Sequence, residues 1–235
     1  RAMMVESMTV VPQMWRQREF PGFKGEFCDL PRRVVVPKPV QKPHPPIWMA
    51  CGSPTSYRMA GEMGVGCLSF TISAPEELKA ALDHYKGGIA VAKPVGDFIN
   101  DNIAGFTTLF VDEDDERACE IGGPNAVQHH TRVGRYYGNV RERDGYNERT
   151  ISIDGRLEAT HTDHRTSIEE ARMCIGGVER VRRIIKRYAD VGIDEFIGIA
   201  QFNHITHEQT MNTLRLMGEH VIPEYKEAKV AVAAE

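Results

Sequence analysis

The chain has 235 residues, of which 41% are hydrophobic and 26% are charged, and its formal net charge is −4. These values are typical of a globular protein large enough to bury a sizeable core, and they give no electrostatic reason to expect nucleic acid or an anionic membrane as a partner. No apolar run approaches the length of a membrane span, and the five cysteines are scattered without a CxxC pair, which predicts reduced thiols in a cytoplasmic protein.

The first 46 residues are predicted to form a helix followed by a long connection. Apolar side chains recur near helical spacing over residues 1–17, and Pro12 is expected to kink or shorten this helix. The connection, residues 20–46, is rich in proline and aromatic residues, with a possible short strand at 34–36.

A strand, a tight turn and a helix are predicted next. The apolar run 47–51 is bounded by proline and glycine, which favours a short buried strand. Ser53 is a good N-cap, and Pro54 then falls at the first helical position, where its missing N–H costs nothing. Gly64 is the expected C′ residue of this helix, and residues 66–71 form the next strand.

The chemistry available at this turn is anion binding. The N-terminus of a helix has free N–H groups and a partial positive charge, and a nearby glycine allows close approach of a ligand. Two hydroxyls, those of Ser53 and Ser56, lie in this first turn. The alternative is that Ser53 only caps the helix.

The remaining elements follow in order. A helix is predicted over 74–92 and a strand over Ile103–Val111. The acidic run 112–116 is interpreted as the charged first turn of a helix beginning near Asp114, with a metal site as the less favoured alternative. Residues 118–165 have no regular pattern, apart from a hairpin predicted around 154–155.

The last third is predicted to be helix, strand and helix. The helical region 167–189 is broken at Gly176 and resumes near Val178 as a basic helix, whose charges are interpreted as a solvated face. A buried parallel-type strand follows at 195–200, then a loop at 201–204. Thr206 is expected to cap the last helix, which Pro223 should end.

Two separated stretches resemble one known family. The run 37–50, PKPVQKPHPPIWMA, followed by GSPTSYRMAGEMG at 52–64, is similar to the middle of the bacterial luciferase-like monooxygenases. Residues 175–181, 188–197 and 207–223 are similar to the last helix, strand and helix of that family. The resemblance implies a (β/α)8 TIM barrel that binds a flavin or deazaflavin.

The resemblance also implies roles for individual residues. It places Gly52, Ser53 and Ser56 on the cofactor phosphate, with Ser69 and Thr71 as weaker candidates near the ring. No catalytic residue is assigned, because the family's ring and acid–base contacts come from its first strands. Candidates to face the substrate, each with a solvated surface as the alternative, are His129, His130, Tyr136, Tyr137, Phe202, Asn203 and His204.

The chain is predicted to be the C-terminal portion of one barrel domain, with strands five to eight. The predicted divisions are 1–46, helix four and the connection; 47–111, strands five to seven; 112–174, a variable insertion; and 175–223, the final βα unit. The four predicted strands cannot close a barrel. We therefore expect the chain to be part of a longer one.

The function implied is oxygenation of a small organic substrate by reduced FMN and O2, with a flavin reductase as possible partner and a homodimer as the expected assembly. Hydride transfer with F420 and a non-catalytic flavin-binding role are the alternatives. A metal-dependent hydrolase is a third hypothesis, using His129, His130, His161 or His164. It is weakly supported, since the helically spaced His161 and His164 have no evident third ligand.

Overall fold

The computed structural model describes residues 1–70, 73–143 and 163–225, without the side chains of residues 70 and 134–143. The chain divides into two compact units, residues 1–69 with 80–104, and residues 70–79 with 105–235. The helices are α1 (Ala2–Arg16), α2 (Pro54–Glu62), α3 (Lys79–Ile89), α4 (Asp115–Arg143), α5 (His164–Glu169), α6 (Val178–Asp190) and α7 (His207–Leu216). The strands are β1 (Phe23–Lys24), β2 (Asp29–Leu30), β3 (Trp48–Cys51), β4 (Gly66–Phe70), β5 (Ile103–Val111), β6 (Cys174–Gly176) and β7 (Glu195–Ile199).

In the first unit, a parallel strand pair forms around the predicted strand–turn–helix segment. Strands β3 and β4 are paired from Trp48 opposite Gly66 to Cys51 opposite Ser69. Gly64 has a φ of 64°, which confirms the expected left-handed residue after α2. Cys51 and Cys67 are buried free thiols, as predicted for small core residues.

Tyr85 links α3 to the backbone just before β4 and to the segment before β5. Its hydroxyl lies 3.2 Å from the carbonyl oxygen of Val65 and 3.0 Å from that of Asn100, and the ring is fully buried. The predicted helix 74–92 is in fact a 3₁₀ turn, Pro75–Leu78, followed by α3.

The structure narrows one prediction for the first 46 residues and corrects another. Pro12 lies inside α1 without ending it, so it does not shorten the helix, and a kink at Pro12 stays a prediction. Residues 34–36 form no strand; the connection instead contains the short antiparallel pair β1 and β2. The valines at 34 and 36 are mostly exposed, so their β-branched side chains have no sheet surface to pack on.

In the second unit, β5 is paired in parallel with β6, from Leu109 opposite Cys174 to Val111 opposite Gly176, and β7 also pairs with β5. The buried Thr213 of α7 closes the end of β5, because its hydroxyl lies 3.1 Å from both the N and the O of Val111.

Strand β6 was not predicted from the sequence. Apart from the short pair β1 and β2, the described residues therefore contain five strands, β3 to β7, where four were predicted. β6 has only three residues and lies between a helix and a glycine pair, too short to show a period of its own. The assignment of these strands to positions five to eight of a barrel stays a prediction.

Helix α4 also differs from the prediction. Its sequence contains the helix breakers Gly122, Gly123 and Pro124 and was predicted to be irregular. Packing overrides the local pattern: a side chain on Gly122 would lie 2.8 Å from Ile175, and one on Gly123 would lie 2.4 Å from His164. The glycines are needed because α4 lies close to both neighbours.

The last elements differ in two ways from the predictions. Strand β7 contains no buried residue, and the side chain of Ile197 is 44% exposed, because apolar composition alone does not show which faces of a strand are covered. Pro223 does not end the last helix. A π-helical turn, Met217–Val221, precedes it, Arg182 donates to the carbonyl of His220 at 3.1 Å, and residues 222–225 stay helical.

The basic helix α6 is paired with acidic side chains. Arg187 binds Glu76 at 2.8 Å and Lys186 binds Asp190 at 2.6 Å. These ion pairs agree with a solvated, charge-balanced helix face.

Candidate functional site

The turn before α2 is held by a reciprocal hydrogen-bond arrangement of two serines. The N–H of Ser56 donates to Oγ of Ser53 at 3.3 Å, and the N–H of Ser53 donates to Oγ of Ser56 at 3.0 Å. Ser53 has extended backbone angles and Pro54 opens the helix, so the predicted N-cap and first helical position are confirmed.

Counting donors and acceptors shows which group of this turn can reach a ligand. Oγ of Ser56 accepts from the N–H of Gly52 at 3.1 Å as well as from Ser53, and it donates its own proton to the Ser53 carbonyl at 2.7 Å. The hydroxyl of Ser56 is therefore fully used. Oγ of Ser53 lies 3.2 Å from Oγ of Ser56, and the Ser53 proton can turn outward to an acceptor.

The turn is open to an approaching ligand. Gly52 is exposed, and a methyl group built on it would meet no atom of the described residues within 4 Å. Thr55, at the second helical position, is also exposed. The N–H groups of Gly52 and Ser53 both point at one oxygen, the hydroxyl of Ser56, at the positive end of α2.

Ser69 and Thr71 are the two weaker candidates for contact with the cofactor ring. Ser69 is fully buried, and its Oγ lies 2.5 Å from the phenolic oxygen of Tyr57. Thr71 lies outside the described residues. Contact of Ser69 with a cofactor ring stays a prediction.

In the second unit, α4 and the loop after β7 bring together three of the predicted substrate residues. The ring centroids of His129 and Phe202 are 6.0 Å apart, and the backbone N–H of His204, two residues after Phe202, donates to Oδ1 of Asn125 on α4 at 3.2 Å. Phe202 is buried, His129 half-buried and His204 exposed. The loop lies at the C-terminal end of a strand, where the active sites of TIM barrels are found.

Burial lowers the pKa of His129, and the charge of Arg132 lowers it further. The imidazole of His129 is therefore neutral at neutral pH, with one nitrogen that donates and one that accepts.

Of the remaining histidine and tyrosine candidates, the structure describes the side chains of His130 and His164. His130 is buried next to His129, with the two ring centroids 6.0 Å apart, and His164 begins α5 against Gly123. Tyr136 and Tyr137 belong to α4, but their side chains lie outside the described part of the chain, as do His161 and the hairpin at 154–155. Within residues 1–70, 73–143 and 163–225, no group of three His, Cys, Asp or Glu side chains is placed to hold a metal ion.

Two residues of α4 that contact the loop after β7, Asn125 and Gln128, were not singled out from the sequence. The amide of Asn203 donates to Oδ1 of Asn125 at 2.8 Å and also to Oε1 of Gln128. Asn125, Gln128 and His129 share one helix face at the i, i+3, i+4 spacing. Once this segment is known to be helical, that spacing would reveal the cluster.

The acidic run at 112–116 has structural partners. Oδ1 of Asp112 accepts from the N–H of Asp114 at 2.9 Å, and Asp115 binds the N–H of Gly177 at 2.8 Å and the guanidinium of Arg180. Helix α4 begins at Asp115, next to the predicted start.

Comparison with known proteins decides the family. The model of the luciferase-like monooxygenase family matches residues 1–195. The chain belongs to this family. Sequence similarity also extends to the oxygenase component of the flavin-dependent trigonelline monooxygenase of Acinetobacter baylyi, which is 24% identical over 208 residues. The match covers 88% of this chain and 56% of that protein, so the chain spans little more than half the length of this relative.

Solved structures of luciferase-like proteins support the fold. A monooxygenase from Streptomyces bottropensis superimposes with a TM-score of 0.66 at 22% identity, over 95% of this chain and 60% of that one. The F420-dependent tetrahydromethanopterin reductase of Methanopyrus kandleri gives 0.62 at 19% identity, over 94% and 62% of the chains. The oxygenating constituent of 3,6-diketocamphane monooxygenase from Pseudomonas putida, solved with FMN, gives 0.63 at 17%, over 93% and 62%. The fold is thus the α/β architecture with parallel strands of luciferase-like TIM barrels.

Across the described ranges, none of the helices combines the length and the apolar character that crossing a membrane requires.

Proposed function

We propose that this chain supplies the phosphate-binding turn and part of the substrate-binding surface of a flavin-dependent monooxygenase. In this proposal, the turn formed by Gly52, Ser53 and Ser56 holds the phosphate of reduced FMN: a phosphate oxygen takes over the N–H groups of Gly52 and Ser53, and the hydroxyl of Ser56 turns to donate to it. The observation that carries the proposal is the convergence of the Gly52 and Ser53 N–H groups on one oxygen position in front of α2.

The residues of the turn fit a phosphate group. The oxygen that now receives both N–H groups is the hydroxyl of Ser56, so an anion oxygen that replaces it would find both donors already oriented. The outward-turned hydroxyl of Ser53 supplies a third donor. The missing side chain at Gly52 leaves the approach free.

The work of the chain itself is to bind and orient. Bound reduced flavin supplies the reaction with O2. The turn anchors the phosphate end of the cofactor, so that the ring is fixed relative to the strands that carry the turn. In the second unit, we propose that His129 and His204 contact a small organic substrate through imidazoles that donate or accept hydrogen bonds, and that the buried ring of Phe202 supports His129.

The relatives suggest a substrate probe and a partner. The trigonelline monooxygenase relative is an oxygenase component, which supports a separate flavin reductase that delivers the reduced cofactor. Trigonelline, a small pyridinium carboxylate, is the first substrate probe. We further propose a homodimer as the assembly.

Hydride transfer with F420 is the second candidate, because one of the similar structures is an F420-dependent reductase. FMN and F420 both present a phosphate near a tricyclic ring, so the turn fits either cofactor.

Titration with FMN, reduced FMN and F420, followed by absorbance and fluorescence, tests the proposal. The Ser53→Ala/Ser56→Ala double variant should weaken binding by about 1–3 kcal/mol, the usual range for hydrogen bonds to a charged group. Ser53→Asp is the sharper variant: aspartate caps helices as well as serine does, but it puts a negative charge where the phosphate should lie. It should keep the stability of the protein and abolish binding.

Ser7→Ala is the matched control, because its hydroxyl donates to the carbonyl of Met3 inside α1 and lies 3.8 Å from Sγ of Cys28, neither of which belongs to the turn before α2. Its affinity should equal that of the wild type. Unchanged affinity in the Ser53→Asp variant would refute the phosphate site. Failure of the wild-type protein to bind any of the three cofactors would mean that membership of the family reflects the fold alone, without a cofactor site in this chain.

A further inference from the structure

The loop after β7 contains a residue in an unusual backbone conformation. Asn203 has a φ of 49°, in the left-handed region that few residues other than glycine occupy. Asparagine tolerates this region best among the others, and such residues are frequent where a side chain must be aimed. The side chain of Asn203 is aimed at α4.

Three side-chain amides then form a connected network. Both N–H groups of the Asn203 amide are used, one on Oδ1 of Asn125 at 2.8 Å and one on Oε1 of Gln128. Asn125 is itself fixed, because its Nδ2 donates to the carbonyl of Ile121 at 2.8 Å. Oδ1 of Asn125 also accepts the N–H of His204 at 3.2 Å, so one amide oxygen holds two successive residues of the loop.

This network has a cost that packing alone does not explain. Among the described residues, the buried Oδ1 of Asn203 has no hydrogen-bond partner. Leaving a buried acceptor unpaired costs about 1–3 kcal/mol, and such groups in native proteins are often associated with function. The loop is therefore held in a specific conformation in spite of that cost.

The network positions the side chains on either side of Asn203. Phe202 lies against the ring of His129, and His204 is exposed beside it. Gln128 is exposed; since its Oε1 serves Asn203, its two Nε2 N–H groups remain for a ligand. Arg132, one helical turn further along α4, is exposed and close enough to act on His129. The surface thus offers N–H donors and a cation beside the half-buried imidazole of His129, which the buried ring of Phe202 supports, a combination that favours a carboxylate.

We propose that Asn203 is a positioning residue that, through Asn125 and Gln128, fixes a binding surface for a small organic acid. This inference rests on the proposed function and names the substrate class of its second-unit surface. Gln128, His204 and Arg132 bind the carboxylate, and His129, supported by the buried ring of Phe202, contacts the organic part.

Two variants of Asn203 separate the role of its side-chain amide from the role of its backbone conformation. Asn203→Gly keeps the left-handed backbone and removes the amide. Asn203→Asp keeps the size and tolerates the backbone, but it replaces the donor nitrogen by an oxygen that faces Oδ1 of Asn125 and Oε1 of Gln128. The control is Asn212→Asp. It makes the same exchange at a side-chain amide of α7, which donates to Glu113 at 2.9 Å.

The first readout needs neither cofactor nor turnover. NMR titration of the histidine Cε1–H signals should show that both Asn203 variants raise the pKa of His129 toward the ordinary value of about 6.5, because Phe202 no longer shields the ring from water. The second readout is binding of trigonelline and benzoate, followed by shifts of the His129 and His204 signals. Both variants should weaken binding at least about tenfold, a loss of about 1.4 kcal/mol, and Asn212→Asp should change neither readout.

Three results would overturn the proposal: an unchanged His129 pKa in Asn203→Gly, an unchanged affinity for both acids in the Asn203 variants, or no effect of either acid on the wild-type signals. Failure of the flavin titration leaves these readouts intact, since they do not depend on the turn before α2. The two proposals can therefore fail separately.

Discussion

Gly61 of α2 and Gly88 of α3 lie directly against one another: a methyl group added to either would come within 2.9 Å of the Cα atom of the other. The same methyl on Gly88 would lie 2.4 Å from the carbonyl oxygen of Arg58 and 2.8 Å from the backbone nitrogen of Glu62. These neighbours are backbone atoms, which cannot move aside without moving a helix. The two helices therefore pack through their glycines, and α2 is the helix that carries the Ser53 turn.

We predict that Gly88→Ala lowers the free energy of unfolding by about 1–3 kcal/mol, the usual cost of overpacking. Gly87→Ala is a control one residue away in the same helix. Its methyl would meet only the far end of the Arg58 side chain, at 3.0 Å, so the better helix propensity of alanine should leave stability unchanged or raise it by up to about 1 kcal/mol. Chemical denaturation measures both. Equal stability of the two variants would show that the helices are further apart than described.

Asp115 provides a test by pH. The guanidinium of Arg180 and, against the effect of burial, the N–H of Gly177 hold the pKa of this carboxyl at about 2, below its ordinary value of about 3.9. Because the pKa is lower in the folded protein, the stabilisation is complete above about pH 4 and is lost as the pH falls through about 2. The side chain is 47% exposed, so solvent screening reduces its contribution to about 1 kcal/mol.

Asp115→Asn should therefore unfold about 1 kcal/mol more easily at pH 7, and the difference from the wild type should shrink between pH 4 and pH 2. The asparagine oxygen can still accept the Gly177 N–H, whereas Asp115→Ala removes that bond as well and should cost more. Urea denaturation at a series of pH values measures the difference. A gap that stays constant down to pH 2 would contradict the ion pair.

The turn before α2 was predictable because its signals are local. Ser53 and Pro54 act through the backbone of their own segment, and a capping serine followed by proline has one favoured structure in most contexts. The strand Ile103–Val111 was predicted to the residue for a similar reason, since nine apolar and small residues end at an acidic helix start.

Helix α4 and strand β6 were not predictable in this way. Gly122 and Gly123 break helices when judged locally, and they occur in α4 because Ile175 and His164 lie where side chains would point. The partners are more than 40 residues away in sequence, and nothing in the local pattern indicates them. The Asn125–Gln128–Asn203 network depends on α4 and was missed for the same reason.

Ser69 and Tyr57 form a buried pair whose role can be separated from cofactor binding. The two hydroxyl oxygens are 2.5 Å apart, and they join α2 to β4. We predict that Tyr57→Phe and Ser69→Ala each lower the free energy of unfolding by about 1–3 kcal/mol. The double variant should lose less than the sum of the two single losses, because both substitutions remove the same hydrogen bond. The affinity for reduced flavin should change less than threefold in each. A loss of affinity confined to Ser69→Ala would instead support contact of this hydroxyl with the ring.

Glu6 of α1 holds a loop through three consecutive backbone N–H groups. Its carboxylate accepts from Glu26 at 2.8 Å, from Phe27 at 3.0 Å and from Cys28 at 2.7 Å. Burial acts to raise the pKa of Glu6, but the three N–H groups together outweigh it and lower the pKa. The loop should therefore stay closed at neutral pH and open as the pH falls through the lowered pKa of Glu6.

The thiol of Cys28 reports on this loop, because it is the one cysteine of the five that is partly exposed. In the native wild-type protein, a thiol reagent should modify Cys28 alone. Glu6→Ala should speed that modification and increase amide hydrogen exchange at residues 26–28, since the N–H groups lose their acceptor. Glu6→Gln keeps one acceptor oxygen and should fall between the two. Equal rates in all three proteins would mean that the loop is held by contacts other than the Glu6 carboxylate.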